Sequence, residues 1–275
     1  MTLPNFIVIG PGKTGTTWLY QCLAAHPQVR LARNTKETLF FNDYYGRGLA
    51  WYEKFFEGFD GAPAIGEVSN TYFFAPEVPA RIAKDLPKVK LIAFLRDPVD
   101  RVMSLYLFRL RNGLVTGTVD DAVANDPAMV SQNYFDEHLA RWFAAFPRDQ
   151  IFIALFDDLK RNPAGLLREV FAFLGVDPNF VPDAANERVL EASTPRNPGM
   201  FHILKRFALW LRDHDFHRML TWAKTNPLIM RVLTRPLGKD KPKMSADTRT
   251  RLKALYRPHV EKTAMMIDRD LKDWL

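Results

Sequence analysis

Hydrophobic positions along the chain fall into short unbroken runs that alternate with longer segments in which they recur every three or four residues. Apolar runs rich in β-branched residues predict buried strands, and the periodic segments predict helices. Strands are expected to begin near Phe6, Val29, Ala64, Lys90 and Gln150. Because strands that alternate with helices form parallel sheets, the pattern predicts one α/β domain over 1–275, with a central parallel sheet of four to five strands flanked by helices.

The predicted helices cover residues 16–23, 49–59, 76–86, 133–146, 164–174 and 245–274. A further stretch, 199–237, carries apolar residues at helical spacing in two runs, with basic residues in excess over acidic ones. It predicts a helical insertion, either scaffold that covers the sheet edge or a lid over a binding site. Attachment to an anionic membrane surface is a third interpretation of the same amphipathic pattern.

Composition adds a basic balance to this picture. The chain has 275 residues, 47% of them hydrophobic, and a formal net charge of +7. That surplus suits an anionic cofactor or substrate, and it would also suit nucleic acid or a membrane surface. Cys22 is the only cysteine, so no intrachain disulfide can form, which is typical of a reducing compartment. The first residues lack a basic and apolar leader pattern and no apolar run reaches ~18 residues, so we expect a cytoplasmic protein without stable membrane insertion.

The first predicted strand leads into a glycine-rich turn and then a helix. The turn has the sequence Gly10-Pro11-Gly12-Lys13-Thr14-Gly15-Thr16-Thr17. Glycines let the backbone close around a ligand, and the amides and dipole of the helix N-terminus favour negative charge. The sequence therefore predicts a phosphate-binding turn, with a purely structural turn as the plain alternative.

The position of the lysine in this turn decides which kind of phosphate site it resembles. In a nucleotide-triphosphatase P-loop the lysine follows the second glycine directly, whereas here Thr16 follows Gly15 and the lysine is Lys13. The turn also matches the dinucleotide fingerprint letter for letter, but no acidic residue closes a second strand about twenty residues on. Lys13 is therefore expected at the crown of the loop, facing the outer end of a phosphate-like group.

The segment from Gly12 to Leu19 resembles the 5′-phosphosulfate loop of sulfotransferases that use 3′-phosphoadenosine 5′-phosphosulfate (PAPS), in their heparan-type and bacterial branch. The resemblance covers roughly residues 5–175 and rejoins near Lys241. It implies a core similar to that of nucleotide kinases and sulfuryl transfer to a hydroxyl of a small-molecule, lipid or glycan acceptor, with no metal. It also implies that Lys13 acts on the transferring group, while the cofactor is bound by Gly12, Lys13, Thr14, Gly15, Thr16 and Thr17.

Two stretches resemble the acceptor side of the family's site. Lys36 lies in Lys-Glu-Thr-Leu-Phe-Phe, similar to a Lys-Glu-x-x-Phe-Phe motif, and is expected either to bind substrate or to form a solvated pair with the following glutamate. Glu67 matches the glutamate of a Glu-Lys-Ser/Thr-Pro-x-Tyr-Phe pattern, which implies a general base, and its poor hydration predicts a raised pKa. Tyr72 of the same stretch is expected to contact substrate.

This second stretch departs from the pattern at two positions. Val68 stands where relatives have lysine, and Asn70 stands where they have proline. The missing lysine argues against an anionic, glycan-like acceptor.

The strand that begins at Lys90 ends in residues that resemble the family's 3′-phosphate motif. By that resemblance Arg96 and Ser104 bind the ribose 3′-phosphate, and Arg196 and Lys241 are candidates to complete the site. Arginine suits the role because its planar fork binds phosphate through two hydrogen bonds. Asp97 could instead be a metal ligand, which would make the protein a metal-dependent nucleotide kinase.

His138 is a reserve candidate for the catalytic base, although a single histidine on a helix is more often structural. A non-enzymatic nucleotide- or nucleic-acid-binding module is the other alternative, since aromatic and basic residues interleave between Phe201 and Arg235. The enzyme reading predicts no nucleic-acid partner, and it leaves the oligomeric state open.

Overall fold

A computed structural model describes residues 2–186, 193–195, 234–236 and 242–275. Arg196 and Lys241, like nearly all of the predicted insertion 199–237, lie outside the described residues. The chain forms two compact units, each built from three separate stretches. The first comprises Met1–Asp97, Tyr134–Val189 and His259–Lys272, and the second Pro98–Asn133, Leu190–Pro258 and Asp273–Leu275. The single-domain organisation stays a prediction.

The first unit contains a five-stranded parallel sheet in the order β2-β3-β1-β4-β5. The strands of the described residues are β1 (Phe6–Gly10), β2 (Val29–Leu31), β3 (Ala64–Val68), β4 (Lys90–Leu95), β5 (Ile151–Leu155), β6 (Ser193–Pro195) and β7 (Thr234–Pro236). The predicted α/β class, with a parallel sheet of four to five strands, is confirmed. The strands of this sheet are apolar runs in the sequence because helices cover both faces of a parallel sheet.

Each predicted helical stretch outside 199–237 contains a helix, although 49–59 is helical only over Leu49–Glu53. The helices of the described residues lie between and after these strands. They are α1 (Thr16–Ala25), α2 (Leu49–Glu53), α3 (Val78–Asp85), α4 (Pro98–Arg111), α5 (Val119–Asn125), α6 (Pro127–Ser131), α7 (Phe135–Ala145), α8 (Phe156–Arg161), α9 (Pro163–Leu174) and α10 (Ala246–Ile267). Helix α9 begins after Asn162, whose side chain accepts from the Gly165 amide at 2.9 Å, and it ends at left-handed Gly175. Helix α10 is shorter than predicted, because Asp268 adopts a left-handed conformation that stops it.

Strand β1 lies at the centre of the sheet and is fully buried. Phe6 faces Gly66 in the pairing with β3. A Cβ at Gly66 would lie 2.6 Å from the Phe6 ring and 2.5 Å from its carbonyl oxygen, so only glycine lets the two strands pair around this ring. The core under this sheet includes Trp18 and Leu19 of α1 and Phe171 of α9.

The sheet order also fixes where a ligand is expected. The chain runs from β1 to β2 on one side of the sheet and from β4 to β5 on the other. The carboxyl ends of β1 and β4 therefore flank a topological switch point, where open α/β sheets bind ligands. The glycine-rich turn follows β1 and Arg96 follows β4, so both lie at this edge.

The second unit holds α4, α5, α6 and the antiparallel pair β6–β7. Helix α5 begins with a capping box between Thr118 and Asp121. Arg101 is buried and donates to Asn133 Oδ1 at 2.8 Å, and Ser245 donates to Asp120 Oδ1 at 2.7 Å. These contacts tie the ends of the unit's helices together.

Candidate active site

The turn between β1 and α1 requires its glycines. Gly10 and Gly15 have positive φ angles of 98° and 111°. A Cβ at Gly10 would lie 2.6 Å from the carbonyl oxygen of Asn70, and one at Gly15 would lie 2.9 Å from Leu159 Cδ2. The Asn70 backbone leaves no room for a side chain at Gly10, and the left-handed φ angles at Gly10 and Gly15 favour glycine at both positions.

Lys13 lies at the crown of this turn in the left-handed region, with φ 74°. Backbone strain at a non-glycine residue persists only where the surroundings hold it. Thr14 Oγ1 donates to the Pro11 carbonyl at 2.7 Å, and Arg96 Nη1 donates to the Lys13 carbonyl at 3.3 Å. These bonds hold the turn from inside and from the end of β4.

The N-terminus of α1 is suited to an external anion. Its N-cap, Gly15, has no side chain to bond the first amides, and the first turn contains no acidic residue. Lys36 brings a cation to the same place, because its Nζ donates to Thr17 Oγ1 at 3.2 Å. Burial lowers the pKa of Lys36, and the Glu37 carboxylate partly offsets that effect. Lys36 is thus half-buried against the predicted phosphate-binding residues, which disagrees with the alternative of a solvated Lys–Glu pair.

Glu37 is linked to this turn through Asn70. It is half-buried, and its Oε1 accepts from Asn70 Nδ2 at 2.6 Å. Asn70 in turn lies against Gly10 and Gly12. No catalytic role was predicted for Glu37 from the sequence, although a carboxylate directly after the lysine expected to bind substrate can act as a general base.

Glu67 is fully buried at the end of β3 and accepts five hydrogen bonds. Its Oε2 accepts from the Thr38 amide at 3.1 Å, Thr38 Oγ1 at 2.6 Å and Ser69 Oγ at 2.9 Å. Its Oε1 accepts from Tyr52 Oη at 2.8 Å and Tyr72 Oη at 3.1 Å. Burial raises the pKa of Glu67 and these donors partly offset it, so the predicted direction is confirmed.

The environment of Glu67 weighs against the predicted role of general base. A base must reach the proton that it removes, to within hydrogen-bond distance or through one water. The carboxylate is 0% exposed, and donors from four residues surround both of its oxygens. In this arrangement Glu67 fastens the 36–41 segment to β3, and its role as base stays a prediction.

The burial of Tyr72 weighs against the expectation that it contacts substrate, which stays a prediction. Its side chain is fully buried, and its hydroxyl donates to Glu67 while accepting from the Phe41 amide at 3.2 Å. Burial beside Glu67 raises the pKa of Tyr72 well above its ordinary value. A bound molecule could reach this hydroxyl only if the buried cluster opened.

His138 lies on α7 among Phe73, Phe74 and Arg141. Arg141 Nη2 and His138 Nδ1 are 2.5 Å apart. Because a guanidinium only donates, Nδ1 must accept, and the neutral ring then carries its proton on Nε2. This tautomer favours a structural imidazole over a proton acceptor.

The residues expected at the 3′-phosphate fall into different parts of the structure. Arg96 belongs to the first unit, where its guanidinium lies over the Phe156 ring at 4.4 Å and bonds the Lys13 carbonyl. Ser104 belongs to the second unit, half-buried on α4. Their joint role stays a prediction, as do the roles of Arg196 and Lys241.

The described residues contain neither a metal-ligand cluster nor a membrane-spanning helix. They contain no group of three or more histidine, cysteine, aspartate or glutamate side chains that could hold a metal ion. Nor do they contain a helix with the length and apolar character needed to cross a membrane.

Comparisons with known proteins agree with this geometry. The sulfotransferase domain family matches residues 3–196. The chain is 31% identical over 297 aligned positions to bifunctional heparan sulfate N-deacetylase/N-sulfotransferase 3 of Homo sapiens, covering 99% of this chain and 31% of that protein. It is 42% identical over 114 positions to the membrane-associated sulfotransferase kil1 of Dictyostelium discoideum, covering 40% of this chain and 24% of that protein.

Among solved structures, a sulfotransferase from Alicyclobacillus acidocaldarius has the same fold. It superposes with a TM-score of 0.73 at 24% identity, covering 100% of this chain and 99% of that one. The chain spans about a third or less of the length of the curated relatives described above.

Proposed function

The chain belongs to the sulfotransferase family, and we propose that it transfers the sulfuryl group of PAPS to a hydroxyl or an amine of an acceptor molecule. The observation that carries the proposal is the turn between β1 and α1. It combines a strained lysine at its crown with a helix N-terminus that has no acidic residue and has Lys36 beside it. This is a site for a polyanion that presents its outermost group to a lysine.

The described residues fit the donor. The first-turn amides of α1 and the hydroxyls of Thr16 and Thr17 would hold its 5′-phosphate, and Lys13 and Lys36 would neutralise the charge that develops on the transferring group. Bound PAPS supplies the sulfuryl group and a stable phosphate leaving group. With two cations and a set of amides present, the chain's own residues supply the charge stabilisation that the reaction needs, and the proposal includes no metal.

We propose Glu37 as the general base. When the acceptor oxygen or nitrogen bonds to sulfur, its proton must move to a nearby base. Glu37 is half-buried beside the turn, whereas Glu67 is enclosed by donors. The carboxylate of Glu37 would therefore take this proton, and Glu67 would fix the segment that carries Glu37.

The acceptor is proposed to carry no dense negative charge. Val68 replaces the lysine of the family's pattern and is fully buried, so this position offers no cation. The name of the human relative includes N-sulfotransferase, which adds an amine to the hydroxyl acceptor expected from sequence. A cytoplasmic location and the absence of a nucleic-acid partner stay predictions from composition.

Two measurements test the proposal. PAPS and its desulfated product should raise the melting temperature, whereas ATP with Mg²⁺ and an oligonucleotide should not. Radiolabelled sulfate should pass from PAPS to at least one member of a panel of alcohols, phenols and amines. Stabilisation by ATP–Mg²⁺ alone would favour the nucleotide kinase and refute the proposal.

Lys13→Ala is the matched mutational test, with the exposed Lys88→Ala as control. Removal of the Lys13 ammonium should abolish measurable turnover. It should lower the affinity for the desulfated product far less, because the lysine charge acts mainly on the transferring group. Equal losses in turnover and product affinity would contradict this role. Lys88→Ala should leave both unchanged.

A further inference from the structure

We infer that Asn70 is a positioning residue that holds the Glu37 carboxylate in place against the turn between β1 and α1. The inference rests on the proposed function, in which Glu37 is the general base. It concerns a position where this chain departs from the family's pattern, because proline has no side-chain donor and asparagine has one.

The orientation of the Asn70 amide is fixed by its partner. Nδ2 donates to Glu37 Oε1 at 2.6 Å, and a carboxylate can only accept. The amide oxygen, Oδ1, is buried and accepts no hydrogen bond within the part of the chain that the structure describes. Reversal of the amide would place that oxygen against the carboxylate oxygen, so the contact with Glu37 determines which way the amide points.

The backbone of Asn70 is held tightly to the turn. The Ser69 amide donates to the Val8 carbonyl at 2.8 Å and the Phe73 amide donates to the Ile9 carbonyl at 3.0 Å, on either side of Asn70. The Asn70 carbonyl oxygen and Cα lie 2.6 Å and 3.0 Å from the position of a Cβ on Gly10. The hydrogen bonds on both sides hold the Asn70 backbone against Gly10, and the Asn70 side chain links the end of β1 to Glu37.

Glu37 is fastened from the other side as well. The next residue, Thr38, donates both its amide and its hydroxyl to Glu67, and the Val68 amide donates to the Lys36 carbonyl at 3.4 Å. These bonds fix the backbone of the segment, and the Asn70 bond fixes the carboxylate itself. Positioning of a base in this way converts proton transfer into a step that needs no search of side-chain conformations.

The bond also favours the ionised carboxylate, since a donor stabilises the charged form. Lys36 on the same segment, whose charge couples with that of Glu37, and Lys13 on the turn both remain in an Asn70 variant. A change in the pH profile after substitution of Asn70 would therefore report the loss of the amide donor. A merely structural role would leave the profile in place.

The test compares Asn70→Ala with Asn42→Ala, a half-buried amide whose Nδ2 donates to Thr71 Oγ1 at 3.1 Å. For Asn70→Ala we expect kcat to fall about tenfold, a fraction of the ~10²–10⁴ that a general base contributes, and the acid limb of the rate profile to move to higher pH. Affinity for the desulfated product should stay within about twofold, since the bound nucleotide does not need the base. Asn42→Ala should match the unchanged protein in kcat, in the acid limb of the rate profile and in affinity for the desulfated product.

A double-mutant cycle with Glu37→Gln makes the result decisive. If Asn70 acts through Glu37, Asn70→Ala should lower kcat by less than about a further twofold in the Glu37→Gln background. Asn70→Asp keeps the shape and places a like charge beside Glu37, so it should move the acid limb further to higher pH. It serves as the second variant if the alanine protein does not fold.

Two outcomes overturn the inference while sulfate transfer persists. One is an Asn70→Ala protein that behaves like Asn42→Ala, and the other is a full tenfold loss that remains in the Glu37→Gln background. Absence of sulfate transfer in the unchanged protein would instead refute the proposed function, so the two failures are distinguishable.

Discussion

Substitution of Glu67 separates the architecture of the buried cluster from the chemistry of the reaction. Glu67→Gln keeps the shape of the side chain and exchanges one acceptor oxygen for an NH₂ donor. The Thr38 amide can only donate, so the remaining amide oxygen must face Thr38. The new NH₂ then faces the hydroxyls of Tyr52 and Tyr72, which can turn to accept.

The magnitudes follow from these donors. Hydrogen bonds to a charged group contribute about 1.5–3 kcal/mol each, and the burial of the charge offsets part of their sum. Because Tyr52 and Tyr72 can adapt, Glu67→Gln should lower the free energy of unfolding by about 1–2 kcal/mol. Glu67→Ala leaves the Thr38 amide unpaired and opens a cavity, so about 3–5 kcal/mol is expected. Against a total of ~5–15 kcal/mol, the alanine protein should be marginal.

The pH dependence has a definite sign. Burial raises the folded-state pKa of Glu67 above its unfolded value of about 4.3. Between these two pKa values the native state holds the extra proton, so the free energy of unfolding falls as pH rises through that window. The Glu67→Gln protein lacks this titration. Its stability deficit relative to the unchanged protein should therefore shrink as pH rises from about 4.

Urea denaturation across pH, together with steady-state kinetics at 25 °C, checks the reasoning. Glu67→Gln should retain kcat within about tenfold where it is folded, whereas Glu37→Gln should lose about a hundredfold or more with little change in stability. The opposite result, a fully stable Glu67→Gln protein without turnover and an active Glu37→Gln protein, would return the role of base to Glu67. A stability deficit that grows with pH would refute the raised pKa.

Three further predictions concern the cations and the histidine. Arg96→Ala should weaken binding of the desulfated product by about 1.5–3 kcal/mol, and Ser104→Ala should weaken it by less, as measured by calorimetry. If the unchanged protein bound a product without the 3′-phosphate equally well, the 3′-phosphate pocket would be misassigned. Because burial lowers the pKa of Lys36, the alkaline limb of activity should lie below the ~10.4 of an ordinary lysine, and Lys36→Arg should move that limb upward. His138→Ala should keep kcat within about threefold, since its Nδ1 already accepts from Arg141, and a hundredfold loss would make it the base.

The sequence by itself determined the sheet and the turn. Apolar runs that alternate with amphipathic segments specify parallel strands and covering helices through local periodicity. The spacing of Gly10, Gly12 and Gly15 and the placement of Lys13 are equally local, because neighbouring residues build the whole turn. Even the raised pKa of Glu67 followed from its place at the end of an apolar strand.

Tertiary structure decided which carboxylate faces the turn and which is enclosed. A parallel strand is covered on both faces, so the alternation of its side chains does not say whether Glu67 meets protein or ligand. Its donors include Thr38 and Tyr52, which lie 29 and 15 residues away along the chain. The pairing of Glu37 with Asn70 spans 33 residues. Contacts across such separations depend on how the strands and loops pack, and no local pattern of residue types encodes them.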